Sequence, residues 1–333
     1  MLRFFEFLDT FTKFGFCTTT ITNIFFIYIT LFHTKNLVGT YKLMILTFAV
    51  LGIVFSGFEL IARPFVHNYN KGFIYFSLNT WMDPGKNLKF LQLSMTVYAG
   101  CYAVLLSFIA VQFVFRYFSL VKSNVAKKFE GVGILMWMCY PLMMGGIYGC
   151  SLWVFAARDN FADGYFEEDV LKVYLLAIRE VPRMSFIYYD PDGSFRWHNL
   201  TFFATGIFLL SLQYTIILVC GVQMQMKIKE ELQNFSPVYQ KLHRQFFRAL
   251  VIQTFAPTIL FVLPLSTVLL VPMLDMKVSV QSGIIYALFS LYPPFDSLAF
   301  MWIVSEYREV NSSVNVTRAD QRKQQKTLHC END

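Results

Sequence analysis

The sequence predicts an all-α membrane protein: a seven-transmembrane helix bundle with its N-terminus outside and its C-terminus in the cytoplasm. Three observations predict it. Of 333 residues, 56% are hydrophobic and 15% charged, where a soluble domain has about 45–50% and about 25%. Seven runs, at about 11–32, 43–64, 91–118, 131–155, 199–222, 248–271 and 282–304, are long and apolar enough to cross a bilayer, because a hydrocarbon core roughly 30 Å thick takes about 20 helical residues. They are apolar on all sides rather than in alternation, which selects helices over a barrel. The stretches 33–42, 116–130, 223–248 and 305–333 hold 16 of the 28 Lys and Arg, and the side richer in basic residues is the cytoplasmic one. Residues 1–304 thus form the helical domain and 305–333 a cytoplasmic tail, mostly disordered.

Glu6, Asp9 and Lys13 interrupt the first residues, so no cleavable signal peptide is evident and the first span is expected to act as its own insertion signal. Asn23 lies deeper, where an amide either bonds to a neighbouring helix or contacts a ligand. The second span carries Glu59 and Arg63, four residues apart, which predicts a self-neutralising pair on one helix face near the outer interface or at a pocket rim. The third is almost uncharged from Leu91 to Phe115 and ends on Arg116-Tyr117, followed by Lys122, Lys127 and Lys128; the other spans are arranged around it. In the fourth, Pro141 and Gly145-Gly146 permit a kink and a close helix approach.

The connection 156–198 has eight acids against five bases and a turn signal at Asp190-Pro191-Asp192-Gly193; it either covers the outer opening or runs as a free surface loop. The sixth span follows the basic amphipathic stretch 241–248 and contains Pro257 and Pro264, each able to bend a helix. The seventh carries Pro293, Pro294 and Asp296, a carboxylate that must face the interior and find a partner. Of four sequons, Asn199 is expected outside, and Asn234, Asn311 and Asn315 inside and bare.

Several chemistries are disfavoured. The six cysteines show no C-x-x-C spacing, and five lie in or beside spans, where they act as small hydrophobes. The histidines fall in loops or tails and no H-E-x-x-H occurs, so neither a metal nor an enzyme is expected. Asp296 is the only aspartate within a predicted span, against the two that an intramembrane protease needs. The double-proline helices are adjacent, without the internal repeat of a transporter. No cofactor and no nucleic-acid partner are expected. A ligand-gated channel subunit with inverted topology stays open as the alternative.

Four stretches, in order, carry a resemblance: 35–44 (Lys-Asn-Leu-Val-Gly-Thr-Tyr-Lys-Leu-Met), Phe113-Val114-Phe115-Arg116-Tyr117-Phe118, 245–258 from Gln245-Phe246-Phe247-Arg248 to Pro257-Thr258, and Tyr292-Pro293-Pro294-Phe295-Asp296. Together they resemble the nematode seven-transmembrane serpentine chemoreceptors of the Str class, near its Srj branch. The resemblance implies an olfactory-type G-protein-coupled receptor in the plasma membrane, specifically the ciliary membrane of a sensory neuron, that binds a small odorant-like ligand from the outside and activates a heterotrimeric G protein. Arg116 would take the place of the arginine in the Asp-Arg-Tyr motif of rhodopsin-like receptors. Phe115 replaces the acid, so a lock between neighbours is missing. Ser297 stands where the family often has proline.

The expected pocket is mostly apolar with a few hydroxyls and one amide. Ser94, Tyr98, Cys101 and Tyr102 share roughly one face of the third span, with Gln213 on the fifth and Tyr286 and Ser290 on the seventh. Core packing explains such a stripe as well as ligand contact does. Arg116, Tyr117, Lys227 and Arg244 are the candidate G-protein contacts, and Pro257, Pro264, Pro293, Pro294 and Asp296 the candidate switch.

Overall fold

The computed structural model describes residues 2–34, 37, 39–231, 236–274, 279–281 and 283–309. The chain is mostly helical: α1 (Leu2–Phe32), α2 (Thr40–Ala62), α3 (Pro84–Val121), α4 (Val132–Phe155), α5 (Asn160–Tyr174), α6 (Trp197–Glu231), α7 (Pro237–Pro257), α8 (Leu263–Leu270) and α9 (Gly283–Ile303). A π-helical turn, Thr258–Val262, joins α7 to α8. Among the described residues six helices are long and apolar enough to cross a membrane, the sixth running through α7 and α8. Helix α9 follows and packs on α1, α2 and α7. Helix α3 is central and packs on α2, α4, α6 and α7.

Local chemistry explains the close contacts. Gly100 on α3 and Gly145 on α4 meet backbone to backbone; a Cβ at Gly100 would lie 3.0 Å from the Gly145 carbonyl oxygen. Gly146, its neighbour, faces open space. Asn23 is glue: its Nδ2 donates to the Ala49 carbonyl at 2.9 Å, and Ser297 donates to its Oδ1 at 2.6 Å, tying α1 to α2 and α9. Such bonds between membrane helices contribute about 0.6–2 kcal/mol each.

At one end of the bundle lies a cap. Strands β1 (Pro64–Tyr69) and β2 (Gly72–Ser77) form a hairpin, and β3 (Arg183–Ile187) and β4 (Ser279–Gln281) complete an antiparallel sheet in the order β3-β2-β1-β4. Helix α5 packs on its far side through Phe166, Val170 and Tyr174, which are buried with Phe65, Ile74 and Phe76. The 156–198 connection therefore covers the bundle rather than running free. Without a disulfide to anchor it, strand pairing over Gly72–Phe76 does so, reinforced by the Arg183–Asp163 ion pair (2.7 and 2.5 Å) and by Gln92 donating to the Arg183 carbonyl at 2.8 Å.

Two sequence expectations change. Glu59 and Arg63 do not pair. Arg63 lies past the end of α2 in a left-handed conformation (φ 39°), where the four-residue helical spacing no longer applies. It binds Asp9 at 3.1 Å and donates to Thr80, while Glu59 accepts a hydrogen bond from Ser290. Asn199 is buried, and its amide donates to the Phe155 carbonyl at 2.9 Å and accepts from the Ile187 backbone N–H, tying the start of α6 to the cap. Several helices also outrun their apolar cores, α1 and α7 starting about ten residues earlier than hydropathy implies, since amphipathic ends continue a helix into the interface. Asn234, Asn311, Asn315 and the tail beyond 309 lie outside the described residues.

Candidate functional site

Beneath the sheet, the inward faces of Val66, Phe73, Tyr75 and Phe186 roof a small apolar cavity of about 60 Å³ whose walls include Tyr98 and Tyr102. A second cavity of about 200 Å³ lies beside it between α3, α4, α6 and α8, and includes Gln213. The two share the walls Tyr102, Tyr148, Phe202, Leu265 and Leu269. An apolar cavity near 150 Å³ accepts a molecule the size of benzene, so the pair suits a small apolar ligand. Gln213 accepts a hydrogen bond from Tyr140 at 3.0 Å, while its buried Nε2 has no partner among the described residues.

Of the residues chosen from sequence, Tyr98, Tyr102 and Gln213 come together on these walls. Ser94 does not: its hydroxyl donates to the Phe90 carbonyl one turn back at 2.9 Å. Cys101 is half-buried and off the cavity walls. Ser290 lies against α2, bonded to Glu59. The Tyr286 side chain lies outside the described residues. Sequence reasoning missed Phe73, Phe186 and Phe261. The first two sit in strands 100 residues apart that meet only through the sheet, with ring centroids at 4.5 Å.

Below the cavities, Phe261 occupies the π turn between Pro257 and Pro264. Its ring meets Tyr102 at 5.4 Å, Phe289 at 4.4 Å and Tyr292 at 4.9 Å. Proline at 257 lacks the N–H of a regular ladder, and the π turn absorbs the defect. Pro293 and Pro294 are buried in α9, where Pro293 would contact any Cβ at Gly52. Asp296 takes a hydrogen bond from Gln253 at 2.9 Å, joining α9 to α7.

Further from the cap, Arg116 is buried and held between two rings. Its guanidinium carbon lies 3.1 Å from the Tyr41 ring centre and 4.1 Å from that of Phe246. Among the described residues its Nε and one Nη have no hydrogen-bond partner. Two rings thus flank Arg116, whose sequence neighbour Phe115 stands where an acid would be. Tyr117 is half-buried, and Lys227 and Arg244 are exposed.

The family profile described as serpentine type 7TM GPCR chemoreceptor Str matches residues 8–311. The chain is 39% identical over 305 residues to the G-protein coupled receptor str-33 of Caenorhabditis elegans, covering 90% of this chain and 88% of that protein. It is 28% identical over 287 residues to serpentine receptor class r-10 of the same species, covering 82% and 80%. These relatives are receptors, not enzymes. The helices, the cap and this similarity over nearly the whole length together place the chain in the Str family of serpentine seven-transmembrane chemoreceptors, multi-pass membrane proteins of the G-protein-coupled class.

Proposed function

We propose that this chain is a chemosensory receptor that binds a small, mostly apolar ligand in the paired cavities and activates a heterotrimeric G protein at the opposite end. In this reading it crosses the membrane seven times, with the cap and N-terminus outside and the Arg116 end in the cytoplasm, in the ciliary membrane of a sensory neuron. The alternating placement supports this: Asp9 contacts Arg63 at the cap end, and Tyr307 bonds Thr30 at the other.

One observation carries the mechanism. Tyr102 lines both cavities and its ring touches Phe261, which sits inside the π turn. A ligand that moves Tyr102 presses on the weakest point of the α7–α8 helix. Rotation there moves Phe246, twelve residues before Thr258, off Arg116 and opens the clamp. The ligand shifts this equilibrium only by its difference in affinity for the clamped and open states. The freed Arg116, with Tyr117, Lys227 and Arg244, then meets the G protein. Pro293, Pro294 and the Asp296–Gln253 bond accommodate the repositioned α7.

The test is a panel of volatile compounds applied to the expressed receptor with a G-protein readout. At least one compound is expected to evoke a response whose dose dependence moves with Tyr102→Ala. A dose–response identical to wild type in that variant removes the cavity from the reading. An inverted-topology channel is not favoured, since the relatives are G-protein-coupled receptors.

A further inference from the structure

The larger cavity is open where a receptor for a water-borne ligand would be shut, and shut where it would be open. Toward the cap the sheet shuts it off: Phe73, Phe186 and Tyr188 are each at most 2% exposed, and Phe186 is packed against Phe202 and Phe203, two of the larger cavity's walls, at 5.0 and 5.9 Å. The cap is also stapled to the helices beneath it. Asn68 donates to the Val268 carbonyl at 2.5 Å, and Tyr188 to that of Leu269 at 2.6 Å. Opening the cap would break these bonds and leave buried carbonyls unpaired.

On the side, the arrangement is the reverse. Helix α6 packs on α3 and α4 without comparable packing against α8. Two residues that line the larger cavity, Ile207 on α6 and Leu270 on α8, are also 60% and 47% exposed on the outer surface of the bundle. The seam is closed below by the Tyr214–Thr258 hydrogen bond at 2.5 Å and above by the Tyr188–Leu269 bond. Trp197, exposed at the start of α6, suits the interface, and ten residues at 1.5 Å each put Ile207 about 15 Å deeper, within hydrocarbon.

We propose that the ligand enters from the lipid, through the window between α6 and α8 bounded by Ile207 and Leu270. The ligand class follows from the route and the walls: a bilayer-partitioning molecule with an apolar body and one hydrogen-bond acceptor, which Gln213 Nε2, buried and unpartnered on the wall, binds. An unsatisfied buried amide donor is costly, and a ligand acceptor removes that cost. The proposal rests on the cavity being the chemosensory site, and deepens that reading by naming the route and the ligand class.

The test uses the full-length receptor in lipid nanodiscs and a diazirine-bearing alkyl acetate as photoreactive probe. Label is expected on peptides from α6 and α8, at an initial rate that rises with probe concentration in the bilayer. Ile207→Trp, which fills the window, is expected to slow the approach to that variant's own final labelling at least about fivefold, as a modest added barrier does. Ile207→Ala, which widens it, is expected to speed labelling and guards against misfolding of the bulky variant. Gln213→Leu is expected to lower occupancy of the acetate but not of an alkane of equal length. Rates unchanged in both Ile207 variants, or label confined to cap residues, overturn lateral entry. If those rates are unchanged while volatile compounds still evoke G-protein signals, the route fails and the receptor reading stands. If labelling obeys the window but no compound signals, the converse holds.

Discussion

The two ends of the molecule solve the burial of polar groups in opposite ways. In the cap, buried polar side chains are largely paired: Arg183 with Asp163, His67 with Asp169 and Tyr174, Asn79 with the Ile61 carbonyl and the Trp81 and Met82 backbone, and Ser77 with the Ala62 carbonyl. Around Arg116 the reverse holds. Gln112 Nε2, Gln253 Oε1, Asp296 Oδ1, the Tyr41 hydroxyl and two guanidinium nitrogens are buried without partners among the described residues, against Asn68 Oδ1 and Ser185 Oγ in the cap. Each such group costs about 1–3 kcal/mol when left unpaired. The cap is built to hold one geometry. The opposite end holds groups that gain from water, or from a partner, once the clamp opens, which is what a switch requires.

The largest effect expected from this contrast is in the cap. Asp163→Ala removes one member of a buried ion pair and strands Arg183, a loss of about 3–5 kcal/mol. Surface expression should fall to background, and normal surface levels would mean that the cap does not depend on the pair. Next, Arg116→Ala leaves a packed bundle with no charge to offer a G protein, so ligand-evoked signalling should vanish at normal surface expression. Persisting signalling would separate Arg116 from coupling. Smaller again, Phe246→Ala removes one ring from the clamp. A desolvated cation–π contact contributes about 2 kcal/mol and the exposed kind about 0.5–1, so ligand-free signalling should rise several-fold. Unaltered basal activity in both Phe246→Ala and Tyr41→Ala would reduce the clamp to packing.

The same contrast separates what could be read from the sequence. Six of the seven expected spans followed from apolar length, and the interhelix role of Asn23 and the close approach at Gly145 from residue type. The family followed from the four short stretches at 35–44, 113–118, 245–258 and 292–296 taken together. The hairpin was missed, although its signal was present: Phe73-Ile74-Tyr75-Phe76 is a β-rich run beginning at the Asn70-Lys71-Gly72 turn, where Asn70 has φ 48°. Its partner Arg183–Ile187 lies more than 100 residues on, and no local pattern encodes such a pairing. Ser94 illustrates a second limit. Periodicity put it on the right helix, but a serine hydroxyl in a helix readily bonds its own backbone one turn back, as it does here. The ring clamp on Arg116 draws on α2, α3 and α7, so it was visible only as the absence of an acid at 115.

The smallest effect concerns pH at the cap. His67 lies in β1 with its side chain wholly buried; one ring nitrogen meets the Asp169 carboxylate and the other the Tyr174 hydroxyl at 3.0 Å. Burial, the largest influence, holds its pKa below the ordinary 6.5, and Asp169 opposes this without reversing it. Burial likewise raises the Tyr174 phenol, which stays protonated and donates to Nδ1 of the neutral ring, leaving Nε2–H to donate to Asp169. The folded cap therefore favours the neutral imidazole, while the unfolded segment takes up a proton near pH 6.5. The His67 contribution is fully present above that pH and declines as the pH falls toward the lower folded pKa. Hydrogen exchange over 64–77 and 160–187 should quicken as the pH is lowered from 6.5 to about 5 at matched intrinsic exchange rates, and His67→Gln should flatten that dependence. An identical pH profile in the two proteins would show that His67 only fills space beneath α5.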